Sequence, residues 1–456
     1  MNEQPPRQEK IPKSIKVYWG TGALGANIVL ASIAGLGMFY MTNILNIEPF
    51  IAGLLLSVTK LFDVVTDPLV GLWSDRTKTN IGRRRPFLLP GAILSALTLI
   101  MFFTTPDFDN HNFVIAYIFF TLIIYTVGYT IFNVPYMSMP AEMTNGYHER
   151  SSIHAYRIVF VTIGGLVTGS IAPWFLEELG KEDASSYAIL GIAGGIIVLV
   201  SMSITFFGTR KAKFTHSTGI RTNPLIEFKA VAANKHFLRL ICVKIAQLLG
   251  VAVSGPAMFY FLLNTLQLDL KIQSYFFAVI TVSALIAAPL FVKLSKKIGK
   301  SQSYMLSASI FVVYALSWTF AQPGESLTLI LLRGVMVGVV STGNVMLAMS
   351  MLTDTIEYDV KKTGERREGA YTSIYSLVEK ATFSLGPLIL GAALSYAGFD
   401  QSVPIEQAQN PAVRQALLLS MAYLPAALSI ISIFILAGFK LDEKMLSEVT
   451  KSARNK

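Results

Sequence analysis

Apolar residues run along this chain in blocks of about twenty or more, separated by short polar connectors, instead of recurring every three or four positions as on a helix with one wet face. Hydrocarbon about 30 Å thick needs about 20 helical residues to cross it. Such blocks fall near 17–43, 47–73, 85–104, 112–139, 150–175, 185–207, 237–264, 273–294, 303–321, 326–351, 368–396 and 411–438. The pattern predicts an all-α polytopic membrane protein with twelve transmembrane helices. The stretch through Lys16 is polar and precedes an apolar block too long for a signal-peptide core, so no cleaved leader is expected.

The connectors alternate in charge. Arg7, Lys10, Lys13 and Lys16 precede the first block, and Arg76, Lys78, Arg83, Arg84 and Arg85 join the second to the third. Lys293, Lys296, Lys297 and Lys300 follow the eighth, and Lys361, Lys362, Arg366 and Arg367 precede the eleventh. The intervening connectors carry Glu48, Asp107, Asp109, Glu177 through Asp183, Asp400 and Glu406, with Lys181 and Lys271 as their basic residues. The positive-inside rule then puts both termini in the cytoplasm, which requires an even number of spans.

The connector from Gly208 to Lys235, with Arg210, Lys211, Lys213, Arg221 and Lys229, divides the spans six and six. The expected organisation is a bundle over 1–207, a cytoplasmic loop over 208–236, a second bundle over 237–440 and a cytoplasmic tail over 441–456. An internal echo agrees: Asp67-Pro68-Leu69-Val70 runs into a basic turn, and so does Ala288-Pro289-Leu290-Phe291. Two such halves suggest a repeated transporter fold.

Composition narrows the function classes. Hydrophobic residues make up 53% and charged residues 14% of 456 positions, against about 25% charged in ordinary soluble domains, which excludes a soluble enzyme. The net charge of +10 is dispersed among connectors, so its partner is the membrane surface and not nucleic acid. One cysteine, Cys242, and five histidines without ligand spacing give no disulfide framework and no metal cofactor. Lys297-Ile298-Gly299-Lys300-Ser301 ends like a phosphate loop, but Leu294 stands where that loop needs its first glycine. With no nucleophile and base cluster either, no enzyme is expected.

Candidate chemistry sits inside the second block. Lys60, Asp63 and Asp67 are spaced i, i+3 and i+7 and share one helical face. Each charge at membrane depth costs at least about 2.5 kcal/mol, so such groups mark ion or solute paths, and paired acids suggest a cation site. Glu379, Lys244 and Arg333 are further charges within apolar blocks, read as helix-pairing residues.

Gly71-Leu72-Trp73-Ser74-Asp75-Arg76 followed by Gly82-Arg83-Arg84-Arg85 resembles the loop 2–3 signature of the major facilitator superfamily. Its lengthened form after Asp63-Val-Val-Thr-Asp67-Pro68 is similar to the glycoside-pentoside-hexuronide:cation symporters, the family of the melibiose permease. Further matches are Asn133-Val134-Pro135-Tyr136 ending the fourth helix, Tyr156-Arg157 in the fifth, Asp354-Thr355-Ile356-Glu357-Tyr358 after the tenth, and Glu368 and Lys380 around the eleventh.

The resemblance implies two six-helix bundles and cation-coupled symport, with Na+ or H+ as the coupling ion and no other cofactor. It implies a cation site at Asp63 and Asp67, with Na+ ligated there if Na+ is the ion, and with Asn133 where the family has an assisting acid. Asn27, Asn133, Arg157 and Lys380 fall at solute-binding positions, and Asp75, Arg76, Arg83, Arg84 and Arg85 at a cytoplasmic gate. Asn27 and Asn133 replace family aspartates, and Met137 and Val345 replace tryptophans of the sugar pocket, which argues against a galactoside. A sugar or glycoside is the leading solute, with a lysophospholipid or other amphiphile as the alternative. A channel or an uncoupled binding receptor is the reading of another class. The chain is expected to work as a monomer in the cell (inner) membrane.

Overall fold

The computed structural model describes residues 11–144, 147–212, 230–365, 367–405 and 407–439, with 441 and 445. Arg7, Lys10, Lys213, Arg221, Lys229, Arg366, Glu406 and most of the tail lie outside the described residues. Among the described residues every regular element is helical, and twelve helices are long and apolar enough to cross a membrane. They are α1 (Lys13–Asn43), α2 (Pro49–Arg76), α3 (Arg85–Phe103), α4 (His111–Met143), α5 (Tyr147–Leu166, continuing as Ala172–Leu179) and α6 (Ala184–Gly208). The second set is α7 (Lys235–Tyr260), α8 (Leu270–Ile298), α9 (Lys300–Ser317), α10 (Leu327–Thr363), α11 (Glu368–Tyr396) and α12 (Pro411–Leu418, continuing as Leu424–Ala437).

Helices dominate because lipid offers no partners for backbone amides, so each span closes its own hydrogen bonds. Their starts are fixed by side chains that accept from the first free amides: Asn110 for α4, Asp183 for α6, Asn234 for α7 and Asn410 for α12. The expected twelve spans are all present, but α10 runs twelve residues past its expected end at 351. Asp354, Glu357 and Tyr358, read as following the tenth helix, lie inside it. Polar residues continue the helix beyond the apolar block, supported by a Glu357–Lys361 pair one turn apart at 2.6 Å. Gly364, at φ 76°, ends it in a left-handed conformation that suits glycine.

The chain forms two compact units. The first comprises Met1–Tyr40 and Leu61–Gly219; the second comprises Met41–Lys60 and Ile220–Lys456. The first turns of α2 therefore group with the second unit, where Ser57 donates to the Ser384 carbonyl on α11. Within the first unit α3 packs on α4 and α6; within the second, α9 packs on α10 and α12 in the same way. The pairing of α7 with α11 likewise repeats that of α1 with α5, where a Cβ added at Gly164 would meet Asn27 Oδ1 at 2.9 Å. Buried aromatics hold each unit, with Trp19, Phe132 and Tyr136 in the first and Phe237, Tyr304 and Tyr371 in the second.

Candidate cation and solute site

Pro68 cannot donate to the Val64 carbonyl, so α2 is locally loosened between its two aspartates. Asp63 is 3% exposed and Asp67 partly buried. Both reach the same side chain on α4. The Thr130 hydroxyl, itself buried, donates to Asp67 Oδ1 at 3.0 Å and stands 3.4 Å from Asp63 Oδ1. Tyr125, one turn and a half away on α4, lies within electrostatic reach of Asp63. Two carboxylates and a hydroxyl thus gather oxygen donors at one point, and a cation or a proton is the kind of ligand such a group takes. The carboxylate and hydroxyl oxygens are the hard donors that suit Na+, and a buried carboxylate is equally able to carry H+.

Thr130 was not among the residues expected from sequence. Its signal was its spacing: Thr126, Thr130, Asn133 and Met137 recur at helical intervals on one face of α4. Asn133 thus lies on the face that carries Thr130, one turn further along, partly exposed and without a described contact to either aspartate.

The other solute candidates of the first unit cluster on α1, α4 and α5. Trp19 stacks on Tyr136 at 4.7 Å between centroids, donates to the Tyr136 carbonyl at 3.2 Å, and meets the His154 ring edge-on at 5.6 Å. Arg157 lies one turn beyond His154, within electrostatic reach of the Tyr136 hydroxyl, and its Nε is buried with no hydrogen-bond partner. Asn27 Oδ1 is also buried without a partner, so both present unsatisfied polar atoms. Met137 is exposed, as is Val345 in the second unit. Lys380 belongs to the second unit, partly buried on α11.

The residues expected to gate the cytoplasmic side form a connected charge cluster within the first unit. Arg84 pairs with Asp75 and with Glu142 at 3.0 Å, and donates to the Ser74 hydroxyl at 2.6 Å. Arg83 also reaches Glu142, at 2.7 Å, while Arg85 donates to the Arg210 carbonyl at 2.7 Å. Arg76 is exposed at the end of α2. Glu142, at the end of α4, is the acid that sequence reasoning missed; nothing marked it beyond its place beside a basic connector. The second unit has a counterpart, Lys300 with Asp354 at 2.6 Å between α9 and α10.

The remaining membrane charges pair within the second unit. Lys244 meets Glu379 at 2.6 Å between α7 and α11. Arg333 pairs with Glu325, just before α10, donates to Ser317 and lies over the Trp318 ring at 4.5 Å.

Solved structures place the fold. The nucleoside transporter NupG superposes with a TM-score of 0.66 at 12% identity, covering 93% of this chain and 100% of that one. PepTSo2 also superposes at 0.66, with 12% identity and coverage of 95% and 99%. Among curated proteins, the glucuronide carrier protein homolog of Escherichia coli is 26% identical, over 96% of this chain and 95% of its own length. The isoprimeverose transporter of Lactiplantibacillus pentosus is 24% identical over 96% and 91%, and the inner membrane symporter YicJ of Escherichia coli 26% over 94% and 92%. The family model of MFS/sugar transport proteins matches residues 18–443, nearly the whole chain. With twelve apolar helices in two similarly packed sets, this multi-pass membrane protein belongs to the MFS/sugar transport protein family.

Proposed function

We propose that the protein is a secondary active transporter that couples entry of Na+ or H+ to uptake of a sugar or glycoside by alternating access. One observation carries the coupling half: Asp63 and Asp67 converge on the single hydroxyl of Thr130 inside an apolar helix pair. That cluster has the charge and oxygen donors to take up one cation and release it when the surroundings change. The solute class draws support from relatives named for isoprimeverose and glucuronide, and from the unsatisfied amide and guanidinium atoms of Asn27 and Arg157. Asn133 and Lys380 complete the proposed solute contacts. The cluster of Asp75, Arg83, Arg84 and Glu142 serves as the cytoplasmic latch, with Arg76 and Arg85 at its edges. The membrane is the cell (inner) membrane, with both termini cytoplasmic.

The energetics are sufficient without nucleotide. At 100 mV an entering monovalent ion supplies about 2.3 kcal/mol, and a tenfold concentration gradient about 1.4 kcal/mol more. Together these accumulate a neutral solute several hundred-fold. The test is uptake of labelled sugars and glycosides into proteoliposomes under an imposed Na+ gradient, an imposed pH gradient, or neither. Accumulation above the outside concentration under at least one gradient is expected. Equilibration to the outside concentration under all three conditions identifies a channel or facilitator and rejects the proposal.

A further inference from the structure

The second unit holds a charged group that the cation site does not use. Glu379 lies on α11 at membrane depth, yet half of its side chain is exposed. Its Oε2 accepts from Lys244 of α7 at 2.6 Å, and the Lys244 ammonium also rests 3.1 Å from the centroid of the buried Tyr375 ring. Lys244 is thus fixed from two sides, by a carboxylate and by an aromatic face. Oε1, the other oxygen of Glu379, has no contact recorded among the described residues.

An exposed carboxylate in a membrane helix faces either lipid or water, and the neighbours on its own face decide which. Thr372, Ser376, Glu379 and Phe383 follow at steps of four, three and four, all exposed and all on one side of α11. The Thr372 hydroxyl donates to the Glu368 carbonyl at 2.9 Å and tolerates either medium, but a half-exposed carboxylate beside the Ser376 hydroxyl is poor company for hydrocarbon, so this face suits an aqueous path. A carboxylate oriented by a buried lysine, with one acceptor oxygen open, the Ser376 hydroxyl alongside and the Phe383 ring one turn on, is the chemistry that holds a polyhydroxylated ring. The oxygens take its hydroxyls and the phenyl ring covers its C–H face.

We propose that Glu379 is the second unit's solute-binding acceptor, taking a hydrogen bond from a hydroxyl of the transported sugar, with Lys244 as the positioning residue that aims it. The proposal rests on the sugar reading above. Helix pairing alone accounts for the Lys244 contact but not for the exposed half of Glu379 or for the polar face it completes.

The experiment uses the purified full chain in nanodiscs and titrates it with the methyl xylosides, glucosides, galactosides and glucuronides. The tightest binder is then compared with its monodeoxy analogues. Wild type is expected to lose about 10- to 100-fold in affinity for the analogue lacking the accepted hydroxyl. Glu379→Ala is expected to lose as much for the parent sugar and nothing further for that analogue. Glu379→Gln, which keeps a neutral acceptor, falls between. Lys244→Met weakens the parent while leaving the same analogue unaffected, which a structural role does not produce.

If the parent binds the Glu379 variants within about twofold of wild type, or if every analogue weakens with the parent, Glu379 only pairs helices and the inference is overturned. The deoxy series on wild type decides the matter alone should Glu379→Ala not insert: no analogue falling overturns it too. Wild type binding none of the glycosides overturns the sugar reading along with this one, whereas binding untouched by Glu379 overturns this one only.

Discussion

The α2–α4 pair of the first unit and the α8–α10 pair of the second are built on one pattern and differ at its centre. In each, a proline follows the key position of the first helix, Pro68 in α2 and Pro289 in α8. In each, a threonine on the second helix points back at the first, and twelve residues further on an acid holds a basic residue: Thr130 and Glu142 in one, Thr342 and Asp354 in the other. The difference lies in what the threonine meets. Thr130 meets two carboxylates, whereas Thr342 donates to backbone carbonyls, that of Ala284 at 3.2 Å and that of Gly338 at 3.1 Å. The position of Asp67 is held by Ala288 in the echo. The same scaffold therefore carries paired carboxylates in one half and plain interhelical packing in the other, and under the proposed function this separates the chemistry of coupling from the architecture that carries it.

The largest expected effect falls on the most buried acid. Asp63→Asn removes a buried charge from the proposed cation site, so gradient-driven accumulation in proteoliposomes should drop to the level of simple equilibration. Accumulation above about a tenth of wild type would place the coupling charge elsewhere.

The threonines give the sharpest contrast. Thr130→Val removes a hydroxyl bonded to charged groups and is expected to weaken the apparent cation affinity at least about tenfold. Thr342→Val removes one bonded only to carbonyls that already serve the helix, and should leave it within about twofold. Equal effects of the two, measured as the cation concentration for half-maximal uptake, would break the comparison.

The ion pairs at these helix ends differ in burial. Arg84 and Glu142 are both below 10% exposed, while Lys300 is 39% exposed. Glu142→Gln removes the acid shared by Arg83 and Arg84, leaving Arg84 with Asp75 and Ser74, and should cost about 2 kcal/mol. Asp354→Asn should cost under about 1 kcal/mol, because solvent already screens its partner. Thermal unfolding of the two variants in one detergent checks the order. A like contrast governs the last helix of each unit, with the smallest effect. Asp183 caps α6, and its bond from the Ser185 amide holds its carboxyl below the usual range, whereas the neutral Asn410 caps α12. A depressed folded pKa contributes stability above the unfolded value and loses it as pH falls through the folded one. Acidification below about pH 4 should therefore speed amide exchange at the start of α6 and spare the start of α12.

The spans were legible because lipid imposes one solution on apolar blocks of that length. The true end of α10 was not, since hydropathy stops at the bilayer while Glu357 and Lys361 carry the helix onward. Asp63 and Asp67 stood out as charges where charge is expensive. Thr130 did not, because threonines in membrane helices commonly bond to their own backbone, as Thr98 and Thr168 do here. The partners of Glu142 were hidden for a related reason: an acid beside arginines is ordinary in a connector, and only the fold shows that Arg83 and Arg84 converge on it.

The central claim is that Asp63 and Asp67 with Thr130 bind the coupling cation, and the most direct measurement compares solute affinity with and without Na+, at two pH values, for wild type and Asp67→Asn. In wild type, affinity should rise with Na+ or with protons. In Asp67→Asn that stimulation should vanish while cation-independent binding persists, because the proposed solute contacts lie on other helices. Stimulation of unchanged size in Asp67→Asn would contradict the account.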